Sequence, residues 1–535
     1  MDLKNKLLSI ILFISFFSHA DGGLWWIYFS DKSCSNKIAL SQKSIEKRNK
    51  KNIPFDFYDI SVCEDYIDEI KKYGVDVRFV SRWLNAISVE VDSELVLEII
   101  RMLDFVHKIE PLKKKSRIKF KENDFLDDYK SSFSKKKSSI YGPSINQIEM
   151  IGGVQLHENG YFGDDISVAV FDAGFTGVDV LPVFNNLWDN NKIIFTRDFI
   201  NNNQNVFDYS QHGTMVLSVM GGYMVDSLIG TAPMANYLLF RTEDSESETI
   251  VEEDYWAAAA ELADSIGVDI INSSLGYTIM YDDTINSHTY SDMDGNTTII
   301  TKAADRAASR GILVVNSAGN SGLNSWYYIG APADGDSVLA VGAVDYLGNI
   351  ASFSSRGPSF DDRIKPNVCA KGVSVVVADQ DSSIRYANGT SFSAPLISGL
   401  SACLWQAILS NNIDVTNMDI INLIQVSSSL FSNPNDSLGY GIPNFYLSFL
   451  NSSIDSLNYE SQINIFPNPF DNLFHLNGYF EENTQINFYD LNGKLVYSKP
   501  VIQTTDFIVV DDFDKFRPGL YLLNYKDCNQ IIIKK

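Results

Sequence analysis

The chain has 535 residues, 45% of them hydrophobic and 21% charged, with a formal net charge of −24. That composition belongs to a globular protein long enough for several domains. So acidic a surface repels phosphate backbones and anionic lipid, which excludes nucleic-acid binding; five cysteines without a Cys-x-x-Cys pair exclude a disulfide framework and argue against structural zinc.

In chain order, Lys4 and Lys6 precede an apolar run from Leu7 to Phe17 and then Ser18-His19-Ala20, the pattern of a signal peptide ending at residue 20. The run falls short of the roughly 20 residues a membrane span needs. Residues 21–112 read as a small α+β domain, with strands at Leu24–Phe29, Val75–Phe79 and Ala86–Val91 and a helix over Ser93–Leu103 capped by Ser93. Cys34 and Cys63 form a pair left open by the sequence, whereas Cys369 and Cys403 read as buried small hydrophobes. Residues 113–144 carry Lys113-Lys114-Lys115, Arg117, Lys119 and Lys135-Lys136-Lys137; nothing there can build a core, so the stretch reads as a basic linker.

From 145 to 450 the pattern changes. Ile166–Phe171, Val268–Ile271, Ile312–Val315 and Val338–Val344 are apolar runs without alternation, separated by helical stretches at Glu252–Ser265 and Thr301–Ser309. Such runs predict an α/β domain, a parallel sheet covered by helices on both faces, with ligands bound beyond the carboxyl ends of its strands. Residues 460–535 read as a small β-sandwich module entered near Pro467 and Pro469. Its strands are Gln485–Tyr489 and Lys494–Tyr497, joined by an Asn492-Gly493 turn, then Leu520–Tyr525 and Gln530–Ile533.

Three groups carry the chemistry. The strand ending at Phe171 runs into Asp172-Ala173-Gly174; His212-Gly213-Thr214 opens an apolar segment; Gly389-Thr390-Ser391-Phe392-Ser393-Ala394-Pro395 opens a longer one. Each has a plain alternative: a turn former, a core histidine, a helix N-cap. Pro395 is expected in the first helical turn, where proline is tolerated. A serine at that helix start sits among unpaired backbone N–H groups, which favour negative charge on an attacked carbonyl oxygen.

Asp-x-Gly, His-Gly-Thr and Gly-Thr-Ser-x-Ser-Ala-Pro, in that order over about 300 residues, resemble the subtilase family of serine proteases. The resemblance implies Ser391 as nucleophile, His212 as general base and acid, and Asp172 as the group that orients the imidazole. It assigns Asn320, in Asn316-Ser317-Ala318-Gly319-Asn320, to the oxyanion hole. It assigns Ser274, Leu275 and Gly276, with Ala318 and Gly319, to main-chain pairing with an extended substrate. Ser354–Pro358 and Lys365-Pro366-Asn367 also match the family but read as structural. Ala173 departs from it, standing where Ser or Thr is commoner, and is expected to loosen hydrogen bonding around Asp172. Of the other histidines in this region, His157 and His288 lack the Gly-Thr that follows His212.

No cofactor is expected. The acidic insertion Tyr277–Thr298, with Asp282-Asp283 and Asp292 to Asn296, lacks the spaced glutamate of an EF-hand and reads as a solvated loop, leaving calcium open. The front domain is similar to subtilase propeptides, implying a zymogen that removes its own front segment. Ile465-Phe466-Pro467-Asn468-Pro469, Asn492-Gly493-Lys494 and Pro518-Gly519-Leu520-Tyr521 resemble the sorting domain of cargo for type IX secretion. That implies the outer-membrane secretion machinery as partner and a secreted or cell-surface location. The expected activity is a secreted serine endopeptidase acting as a monomer on proteins or peptides; the competing classes are a catalytically silent, subtilase-like surface-binding protein and an esterase on the same scaffold. Side-chain preference, natural substrates and cleavage points are not encoded in any motif.

Overall fold

The computed structural model of the protein describes residues 23–91, 93–112, 140–246, 249–279, 287–453, 464–466, 474–490, 494–510, 515–526 and 528–534; the leader, most of the linker, Asp282-Asp283, Pro467, Pro469 and the Asn492-Gly493 turn lie outside them. Two compact units are formed, Met1–Phe449 and Leu450–Lys535.

The front domain begins with β1 (Gly23–Phe29), followed by α1 (Gln42–Lys50), α2 (Glu64–Lys71), β2 (Asp76–Ser81), β3 (Ala86–Val91), α3 (Glu94–Arg101) and β4 (Val106–Leu112). The strands form an antiparallel sheet in the order β2-β3-β1-β4. Successive side chains of a strand point to opposite faces, and both faces of β1 are covered. Trp25, Ile27 and Phe29 join the domain's own core with Ile67, Ile70, Leu97 and Ile100. Leu24, Trp26 and Tyr28 pack instead with Tyr255, Trp256 and Ala259 of the central domain. That is why β1 reads as one unbroken apolar run. A disulfide joins Cys34 to Cys63. Ser93 occupies the N-cap of α3, but its side chain makes no capping bond. The helix start rests on burial of Leu97 and Ile100 and on Glu94 in the first turn, where the helix dipole favours an anion.

The central domain follows the order β5 (Ser167–Asp172), β6 (Ile193–Asp198), α4 (His212–Gly221), β7 (Asn236–Arg241), α5 (Val251–Ile266), β8 (Ile270–Ser273), α6 (Ile299–Ser309), β9 (Leu313–Ser317), β10 (Val338–Val344), β11 (Val368–Lys371) and α7 (Thr390–Ser410). The seven strands make one parallel sheet, β11-β10-β9-β8-β5-β7-β6, with α4 and α7 on one face and α5 and α6 on the other. After β5 the chain builds β6 and β7 on one side, then returns to place β8 on the other. Such a reversal opens a crevice at the carboxyl ends of the two strands.

Helix α7 is long and apolar enough to cross a membrane, yet 89% of its apolar window is buried, as befits a core helix. Pro395 is the sixth residue of α7, beyond the first turn where it was expected. Lacking an N–H, it cannot bond the carbonyl of Ser391 four residues earlier; the Ser274 hydroxyl donates to that carbonyl instead, at 2.8 Å.

The tail unit holds two antiparallel sheets. β12 (Asn464–Phe466), β13 (Phe474–Phe480) and β16 (Thr505–Val510) form one; β14 (Gln485–Tyr489), β15 (Leu495–Pro500), β17 (Gly519–Tyr525) and β18 (Cys528–Lys534) form the other, ordered β15-β14-β17-β18. Phe474, Leu476 and Phe480 from the first meet Ile486, Phe488 and Leu523 from the second in a common core, the β-sandwich expected.

Candidate active site

Asp172 ends β5 and is fully buried. Its Oδ1 accepts from the backbone N–H of Ala173 at 2.8 Å, a bond that the missing hydroxyl at position 173 does not affect. The next turn needs Gly174, at φ +152°: a Cβ there would lie 2.5 Å from the Ser210 nitrogen. His212 is the first residue of α4, its side chain 20% exposed. Its Nδ1 lies 2.9 Å and 3.0 Å from the two carboxylate oxygens of Asp172. This spacing fixes Nδ1 as the donor and turns Nε2 away from the carboxylate.

Ser391 is the second residue of α7 and 8% exposed. The next residue, Phe392, sets its ring 5.9 Å from the His212 imidazole, centroid to centroid, so the two helix starts meet at this point. The Ser391 hydroxyl donates to the carbonyl of Ser274 at 3.3 Å. Asn320 follows β9. Its Oδ1 accepts from both the N–H and the hydroxyl of Thr390, each at 3.0 Å. With the oxygen so held, the amide nitrogen turns toward Gly389, 3.6 Å from where a Cβ on that glycine would stand.

The segment after β8 borders the same crevice. The Leu275 carbonyl is held inward by the Asn316 amide at 2.9 Å, while Gly276 is exposed, with nothing within 4 Å of a built Cβ. Tyr277 pairs with Ala331 by two backbone bonds of 2.8 Å and 3.1 Å, closing the wall behind it. Gly319, at φ +103°, donates its N–H to the Thr390 hydroxyl at 3.2 Å. Asp172 thus ends β5, Ser274 to Gly276 follow β8 and Ala318 to Asn320 follow β9, and the two helix starts bring His212 and Ser391 to the same end of the sheet.

The other histidines are engaged elsewhere. His157 is buried between the Tyr141 hydroxyl and the Thr231 carbonyl, at 3.0 Å and 2.9 Å, and burial lowers its pKa. His288 pairs with buried Glu253; burial opposes its charge, but that carboxylate raises its pKa. Cys369 and Cys403 are buried free thiols, burial pushing Cys369 up to about 12 and Cys403 higher still. Asp294 closes its own loop, accepting from Asn296 and Thr297, and among the described residues no group of acidic, histidine or cysteine side chains is arranged to hold a metal.

The family model described as "Subtilase family" matches residues 163–441, more than half of the chain. The chain belongs to the subtilase family. It is 30% identical to subtilisin DY of Bacillus licheniformis over 296 residues, 55% of this chain and 93% of that protein. To subtilisin E of Bacillus subtilis (strain 168) it is 28% identical over 370 residues, 68% and 81% of the two chains. Subtilisin of Bacillus pumilus is 29% identical over 285 residues, 53% and 90%. Residues 24–124 match the "Peptidase S8 propeptide domain, Bacteroidota", and residues 464–535 the "Secretion system C-terminal sorting domain". The subtilase therefore carries a propeptide in front and a type IX sorting domain behind, which directs it outside the cell or to the cell surface.

Sequence reading passed over two contributors to the site. Thr390 fixes the orientation of Asn320, and Gly213 lets α4 approach the strand end: a Cβ on it would stand 2.3 Å from the Gly174 carbonyl oxygen. Both lie inside the motifs, each beside the residue that bears the reacting group.

Proposed function

We propose that this subtilase is an active endopeptidase that hydrolyses peptide bonds through an acyl-enzyme on Ser391. The observation that carries the reading is the buried Asp172 carboxylate holding Nδ1 of His212 at 2.9 Å, at the same crevice where the first turn of α7 carries Ser391. The Ser391 oxygen attacks the scissile carbonyl carbon while its proton passes to Nε2 of His212; Asp172 supports the imidazolium that results. The same proton then goes to the departing amine, and water repeats the sequence to release the acid. Negative charge on the attacked oxygen falls near the amide of Asn320 and the backbone N–H groups at the start of α7. An extended substrate pairs along Ser274–Gly276 on one side and Ala318–Gly319 on the other. One chain supplies every group, so a monomer suffices.

The test has two parts. A fluorophosphonate should label the wild-type chain and not Ser391→Ala, and the untreated wild-type chain should digest casein and lose that activity on labelling. Labelling without digestion would favour an esterase; no labelling would favour a silent surface-binding protein. We further propose that the front domain is severed autocatalytically within 113–144. Ser391→Ala should then accumulate as the uncut chain; normal loss of the front domain in that variant would end this reading.

A further inference from the structure

Between β1 and α2 the front domain carries a 30–63 insert, closed by the Cys34–Cys63 disulfide and containing α1. Its contacts do not run toward the crevice. They reach the opposite, amino-terminal end of the parallel sheet. Lys43 donates to the hydroxyl of Ser167, where β5 begins, at 3.1 Å. Lys47 pairs with Asp269, just before β8, and donates to the Gly267 carbonyl at 2.6 Å. Lys51 donates to the Gly311 carbonyl, just before β9, at 3.2 Å, and lies 4.3 Å from the ring of Trp405 near the far end of α7.

The insert also completes α5. The last carbonyls of a helix lack partners of their own and concentrate negative charge. Here Ser41 donates its N–H to the Ser265 carbonyl at 2.8 Å and its hydroxyl to that of Ile266 at 2.9 Å. Deeper in, Arg48 reaches both Asp264 oxygens at 2.7 Å and 2.8 Å and its own domain's Asp59 at 2.7 Å, all three residues being buried. Arg82, in the turn between β2 and β3, reaches the same Asp264 carboxylate at 2.5 Å, and its backbone N–H donates to Glu261 at 2.7 Å.

We propose that the insert is a second anchor: a cationic, disulfide-closed clamp on the acidic base of the catalytic domain that retains the front domain after the linker is cut. Among the described residues none of its contacts uses the crevice or residues 140–144 of the linker, so cutting within 113–139 or occupying the crevice leaves them in place. Buried ion pairs are screened far less than surface ones, and breaking either side strands desolvated charge. Retention at the base then depends on no contact at the crevice.

The proposal rests on the front domain being severed in the linker, so the test makes that cut independently of self-cleavage. A Ser391→Ala chain carries a recognition sequence for an unrelated endopeptidase in place of residues 120–130. After cleavage, dissociation of the front domain is followed by gel filtration on dilution. The cleaved Ser391→Ala chain should hold its front domain; adding Lys47→Ala and Lys51→Ala should speed release at least 10-fold, whereas Lys71→Ala and Lys72→Ala, at the exposed end of α2, should leave it unchanged. Equal release from both variants would overturn the proposal. A second measurement needs no insert variant: amide exchange at 41–51 and 265–268 should be as slow in the cut complex as in the uncut chain. Loss of that protection on cutting, with the front domain still bound, would overturn it equally.

Discussion

Gly213→Ala tests the triad geometry without touching a reacting group. A Cβ at this position would stand 2.3 Å from the Gly174 carbonyl oxygen and 2.9 Å from both Asp172 Cβ and Phe175 Cδ1. Ordinary contact needs about 3.5 Å, so the start of α4 must retreat from the strand end by about 1 Å. The 2.9 Å separation of His212 Nδ1 and Asp172 would then exceed hydrogen-bond reach. Overpacking of this kind costs about 1–3 kcal/mol, which a domain stable by about 5–15 kcal/mol survives. A displacement of about 1 Å at a reacting group lowers turnover on the order of 100-fold. Steady-state hydrolysis of a chromogenic peptide should therefore show kcat down about 100-fold with KM little changed, and fluorophosphonate labelling slowed in parallel. A folded Gly213→Ala enzyme with kcat within threefold of wild type would refute the assignment of Asp172 and His212 as a working pair.

Asn320→Ala should lower kcat by about 100- to 1,000-fold, the loss known for the corresponding donor in subtilisin, with KM nearly unchanged; an unaltered kcat would remove Asn320 from the oxyanion hole. Asp254, on α5 beneath Trp26, is raised to about 7 by burial and by the fields of Glu253 and Glu110, with Trp26 working the other way. A carboxyl raised in the folded state adds stability that is full below its unfolded pKa and is lost as pH rises through about 7. The loss amounts to at most about 4 kcal/mol. Thermal unfolding should accordingly show Asp254→Asn gaining on wild type between pH 5 and pH 8, and a constant difference would contradict the assignment. Replacing Cys34 and Cys63 by serine opens a loop of sequence separation 29 and should destabilise the front domain by about 3–4 kcal/mol in non-reducing urea titration; an unchanged midpoint would mean that the pair does not constrain it.

The motifs made the site legible because each sits where backbone and chemistry demand the same residues. Gly174 and Gly389 are required by positive φ, and Asp172 and Ser391 by their places at a strand end and a helix start. The buried strands were legible for the same reason that β1 was: burial on both faces leaves no alternation to misread. Less visible were β6, half-exposed at the sheet edge, and α1, whose sequence QKSIEKRNK is almost wholly polar. Its apolar content says nothing because its partners are carboxylates and carbonyls on another domain. An isolated sequence shows Arg48 as one more surface cation; only tertiary structure puts Asp264 and Asp59 on either side of it.

A parallel sheet has two unlike ends, and this subtilase uses both. The six residues of β5 separate Ser167, which the insert grips, from Asp172, which holds His212; at about 3.3 Å per residue the two ends lie roughly 17 Å apart. Sites that far apart with no shared partner act additively to within about 0.5 kcal/mol. Gly213→Ala should therefore slow hydrolysis by the same factor whether or not Lys47→Ala and Lys51→Ala are present, and those lysine changes should speed release of the front domain equally in either background. A faster release caused by Gly213→Ala itself would mean that α4 and the crevice help to hold the front domain, and that retention is not confined to the base.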